Sequence, residues 1–150
     1  MASYHSNHQT AAGATLVLLN LTGATTIRAA VYQWTIGTDA TPADLAGEFN
    51  LMRTTTAGTG GTSLNENTTD PITVAATAAA TGGTFTAAPT VTANSDLLQV
   101  GLNQRATFSW TCAYPGRELF TAATAANGIA VYNRNHGGTP NVNTTVSWFE

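Results

Sequence analysis

Ala106-Thr107-Phe108-Ser109-Trp110-Thr111-Cys112 alternates apolar and hydroxyl side chains without a break. A β-strand turns successive side chains to opposite faces, so Phe108, Trp110 and Cys112 are expected inward and Thr107, Ser109 and Thr111 outward. The closing segment, Val142 to Phe149, repeats the pattern with Val142, Val146 and Trp148 on one face. Between them, Tyr114-Pro115-Gly116 turns the chain, Glu118 to Phe120 pairs briefly, Asn127-Gly128 signals a turn, and Ile129 to Asn133 continues as a strand. His136-Gly137-Gly138-Thr139-Pro140 reads as a loop.

Toward the N-terminus, Leu97 to Leu102, Phe49 to Thr55 and Leu16 to Leu21 are further expected strands. Ile27 to Ile36 is longer and apolar on both parities, as a strand covered on both faces or by a neighbouring subunit would be. Thr41-Pro42-Ala43-Asp44 has the cap, first-position proline and early acid of a helix start, so one short helical turn is expected near 41–46. The stretch Thr56 to Ser63, with Gly58, Gly60 and Thr62, is an expected exposed loop, and residues 64–93 are read as mainly extended, with a strand at Ile72-Thr73-Val74. Residues 1–13 are polar and aperiodic and read as an extended N-terminal arm, leaving 14–150 as one domain. Some eight or nine short strands between Gly, Pro and Asn loops fit a single-domain, all-β sandwich of the jelly-roll kind.

Composition agrees. The 150 residues suffice for one core, and only 9% are charged, with Thr, Ala, Gly and Asn in their place. The cations are five arginines, at 28, 53, 105, 117 and 134, with no lysine and a net charge of -3. Nucleic acid is therefore not an expected partner, because neutralising phosphates takes several clustered cations. A membrane is not expected either, since the run from Leu16 to Leu21 is far shorter than the roughly 20 residues of a spanning helix. The first ten residues lack the basic and apolar regions of a secretory signal, and production in the cytoplasm is expected. Cys112 is the single cysteine, so no internal disulfide can form.

No catalytic constellation, cofactor or metal site is expected. The Gly58-Thr59-Gly60-Gly61 cluster has no lysine to make it a phosphate loop. His5 and His8 have metal-ligand spacing but no third ligand nearby, and His136 has no orienting partner, so all three read as solvated side chains. Asp39, Asp44 and Glu48 lack the spacing of a calcium loop and fit turn and cap roles. The acceptor tripeptides at Asn20, Asn67 and Asn143 are chance matches in a Thr-rich chain. Trp110 and Trp148 are assigned to the core, whereas Tyr114 beside Pro115 is assigned to the surface.

Several stretches carry a resemblance. They include Thr26-Ile27-Arg28-Ala29 through Tyr32, Ile36-Gly37-Thr38 with Thr41-Pro42-Ala43-Asp44, and Arg53-Thr54-Thr55 leading to Ala57-Gly58-Thr59-Gly60. Gly101 through Trp110, Pro115-Gly116-Arg117-Glu118 and Ala126-Asn127-Gly128-Ile129 complete them. The chain resembles small cement or decoration proteins of tailed bacteriophage capsids. The resemblance covers most of the chain and contains no chemical signature. It implies a jelly-roll-like virion subunit, often a homotrimer, on or between major capsid protein subunits. Few charges suit a molecule locked in a lattice. Tyr4, His5 and His8 on the arm, Gly58, Gly60 and Thr62 in one loop, and Tyr114 and His136 in others are the expected assembly contacts. The rival expectation is a carbohydrate-binding sandwich on a phage or cell surface, using exposed aromatics with Asn and Asp.

Overall fold

The structure is a computed structural model, and it describes residues 1–11, 17–71, 74–83, 85–136 and 140–150. Its elements are β1 (Ser3–Ala11), β2 (Val17–Thr22), β3 (Ala30–Asp39), β4 (Ala46–Thr54), β5 (Thr62–Ser63) and β6 (Asn67–Thr68). They continue as β7 (Ala79–Gly82), β8 (Val91–Asn103), β9 (Phe108–Thr111), β10 (Leu119–Phe120), β11 (Gly128–His136) and β12 (Asn141–Phe149). All pairings are antiparallel. The first sheet runs β10-β3-β12-β1-β6, with β9 also on β3, and the second runs β5-β7-β2-β11-β4-β8. The chain is an all-β sandwich.

One core lies between the sheets. Tyr4, Trp34, Val142, Val146 and Trp148 from the first meet Leu19, Leu21, Phe49, Leu51, Ile129 and Val131 from the second, all buried. The strict alternation at β9 is kept, because Trp110 pairs with buried Trp34 and Phe108 with buried Ile36. Trp110 is nevertheless only half-buried, since β9 lies at the border of its sheet.

Four expectations are corrected. Residues 3–11 are no arm: β1 pairs with β12 along its whole length, from Ser3↔Phe149 to Ala11↔Asn141, and its Tyr4 and Ser6 are buried. Its inward positions are mostly polar; Ser6 Oγ donates to the Asn65 carbonyl, whereas His8 Nε2 has no partner among the described residues. No helical turn forms at 41–46. Ala40 adopts a left-handed φ of 68°, and the Ala43 amide donates to Gln104 Oε1 rather than entering a helix. The two-sided apolarity of β3 comes from a bulge, not from two covered faces. Gln33 pairs with Ser147 but Val31 with Trp148, so the extra residue, Tyr32, turns outward while Val31 and Trp34 both face the core. Thr62–Ser63, expected in a loop, pairs with β7. The expected boundary at 13/14 and the strand residues Ile72 and Thr73 lie outside the described residues.

Candidate interaction surface

The register of the first sheet stacks outward side chains into rungs that cross three or four strands. Gln9, Asn143 and Gly37 form one rung, and Asn7, Thr145, Thr35 and Ser109 the next. His5, Ser147, Gln33 and Thr111 form the third. These rungs are polar, and none of their residues is an acid, a lysine or an arginine. At their upper end Asp39 accepts hydrogen bonds from Gln9 (2.5 Å) and Asn143 (3.1 Å), which ties its carboxylate to neutral amides.

The last rung differs in kind. Ser3 pairs with Phe149, Phe149 with Ala30, and Ala30 with Phe120, so two phenylalanines stand on the outward face. The bulge at Tyr32 lays its ring on Phe149, with centroids 4.2 Å apart, and Ser3 Oγ and Tyr32 Oη are hydrogen bonded. Arg28 lies over the other side of the rung, 4.8 Å from the Phe120 centroid. Phe120 and Phe149, with Ala30, Met1, Pro115, Gly116 and Glu118, line an open, mainly apolar cleft of about 380 Å³. Tyr114, 73% exposed, borders the adjoining hollow with Pro115 and Arg117.

The outward face of the second sheet is covered over β2, β11 and the end of β4. Asn20, Ala130 and Met52 form one of its rungs, and Thr22, Gly128 and Thr54 another; Asn20, Ala130, Met52, Thr22 and Thr54 are all buried. Thr54 Oγ1 donates to Asn20 Oδ1, and Asn50 Nδ2 to Asp96 Oδ1, which Arg134 also grips. Toward its β8 edge the same face is exposed, at Gln99, Gly101 and Asn103, and carries the charged Arg134, Glu48 and Asp96, whereas the first sheet's face is nearly uncharged.

The expected contact residues are scattered. Tyr4 is 2% exposed, stacks on Trp148 and donates to the Val74 carbonyl, so it is a core residue and no contact. His8 is no solvated side chain. It points inward, its ring lies under Gly82 and Gly83, and burial lowers its pKa below the ordinary 6.5. His5 is outward, on the third rung. Gly58 and Gly60 have left-handed φ and run against Pro89 and Thr86, while Thr62 comes close to His8 at Gly83. His136 ends β11 opposite Gly47, and Gly137, Gly138 and Thr139 of its expected loop lie outside the described residues. Of the expected contacts, only Tyr114 lies near the aromatic rung, in the adjoining hollow. Tyr32, Phe120 and Phe149 were missed, although the parity that places Trp148 inward also places Phe149 outward.

Among the described residues no three His, Cys, Asp or Glu side chains stand close enough to hold a metal ion. No described helix is long and apolar enough to cross a membrane. Comparison with protein-family models, with curated proteins and with solved structures finds no match.

Proposed function

We propose that this chain is a non-enzymatic virion subunit, a cement or decoration protein that binds the major capsid protein lattice of a tailed phage and strengthens the head. The observation that carries the proposal is the open face of the first sheet, a nearly uncharged ladder ending in an aromatic rung. Such a face presents little charge to desolvate, and its Phe120, Phe149 and Tyr114 are the large side chains that gain most from being covered. The strand order supports the jelly-roll reading. Leaving aside β7 and the two-residue strands, it is β1-β12-β3-β9 in one sheet and β2-β11-β4-β8 in the other, an eight-stranded double Greek key. The sequence resemblance points the same way and adds a trimer, for which the aromatic rung is the available apolar contact.

The proposal is tested on purified particles, in which mass spectrometry should find the chain in high copy number. Added to decoration-free capsids, Phe120→Ala should bind about 30-fold or more weakly than the parent, the loss typical of a buried aromatic anchor. Undiminished binding would remove this face from the contact. A second reading, a carbohydrate-binding sandwich, is favoured by the same juxtaposition of aromatic rings with Asn and Gln side chains. A specific ligand in a glycan screen, lost in Phe120→Ala, would establish it instead.

A further inference from the structure

The edges of the sandwich are unequal. β5, β6 and β10 have two residues each and β9 has four, whereas β8, which ends the second sheet, has thirteen. A long open edge is a template for another strand unless charge, proline or distortion blunts it. From Leu97 to Asn103 this edge has no charged residue and no proline, and its pairing with β4 is regular from Leu98 to Asn103. The amide of Gln104 donates to the Leu45 carbonyl. In an antiparallel ladder the bonding direction alternates, so Leu102, Val100 and Leu98 bond toward β4, while Asn103, Gly101 and Gln99 turn their N–H and C=O groups to the open side.

Gly101 is the second observation. Its φ lies outside the left-handed range, and a Cβ built on it would meet nothing within 4 Å. Neither backbone conformation nor packing within the described chain calls for glycine there, and a strand interior disfavours it. Glycine at such a place marks the close approach of another backbone.

We propose that the β8 edge pairs with the β8 edge of a second copy of this chain, antiparallel about a two-fold axis through Gly101. The edge is complementary to itself. Gly101 then faces its own symmetry mate and Gln99 faces Asn103 of the other copy, each pair exchanging both backbone hydrogen bonds and the outer pairs setting neutral amide beside neutral amide. The one acid of the strand, Asp96, is held by Arg134 at 2.9 Å within its own copy, as is Glu48, which accepts from Gln99, at 3.3 Å, and Asp44 accepts from Asn103 Nδ2 at 2.7 Å. An isologous contact of this kind closes at two copies. It is therefore separate from a three-fold contact through the aromatic rung, and the two together would join trimers across a surface.

Gly101→Lys puts a charge at the centre of the seam and leaves the fold intact, because the site is open. By light scattering at high concentration, the parent should have at least twice the mass of Gly101→Lys: twice if no other contact forms, and more if trimers are joined. Register is read with two cysteine variants in a Cys112→Ser background. A mixture of Gln99→Cys and Asn103→Cys should oxidise to a disulfide-linked pair at least ten times faster than either variant alone. Equal masses for the parent and Gly101→Lys, or no faster cross-linking in the mixture, overturns the proposal.

Discussion

The imidazole of His8 lies beneath Gly82 and Gly83, and among the described residues its buried Nε2 has no hydrogen-bond partner. Burial penalises the cation and lowers its pKa from 6.5. Unfolded, the same side chain titrates near the ordinary value, so between the two pKa values the unfolded chain binds more protons than the folded one. Stability should therefore fall as pH drops through about 6.5 and level off below the folded pKa. Melting curves between pH 7.5 and 5 should show a steeper loss for the parent than for His8→Gln, and equal slopes would mean that the ring titrates freely. The tryptophans make a second comparison. Trp148 is fully buried and donates to Glu150 Oε1, so Trp148→Ala should cost about 3–5 kcal/mol through the cavity it opens. Trp110 is half-buried, and Trp110→Ala should cost roughly half as much in the same denaturant titration.

At the scale of the strand, β1 separates what the sequence makes legible from what it hides. Strands such as β9 and β12 show themselves because their inward positions are large and apolar. The inward positions of β1 are Tyr4, Ser6, His8 and Thr10, only one of them strongly apolar, so the period is invisible until Asn65, Gly82 and Gly83 are known to stand opposite. β1 nevertheless fills the place between β12 and β6. Deleting residues 1–11 should therefore abolish the cooperative unfolding transition rather than trim a loose end, and a truncated protein melting like the parent would contradict the pairing. The aromatic rung was half legible. The parity that puts Trp148 inward implies an outward Phe149, but only the bulge in β3 brings Tyr32 to it, and a bulge leaves no mark in local sequence. The covered part of the second sheet's outward face was not legible at all, because Asn20, Asn50 and Thr54 have the composition of a solvated surface and are buried.

For the molecule as a whole, composition and period sufficed for the class of fold, since a chain rich in Thr and turn residues with no uninterrupted helical pattern has few other ways to bury its tryptophans. Which strand lies beside which was beyond them. Among the described strands, no two that follow one another in the chain are paired: β3 lies between β12 and the pair β9 and β10, β4 between β11 and β8, and β1 between β12 and β6. Every ladder therefore encloses a long loop whose closure entropy must be met before any contact rewards it. Chains of this type fold in milliseconds to seconds rather than microseconds. The pairing of β1 with β12, Ser3 opposite Phe149, reaches across almost the entire sequence. A growing chain cannot make it until β12 has emerged, so β1, the first of the described strands to be made, waits longest for its partner. Until then the face of Tyr4 that Trp148 covers stays open, and the rate at which this ladder forms sets how long that surface is exposed to aggregation.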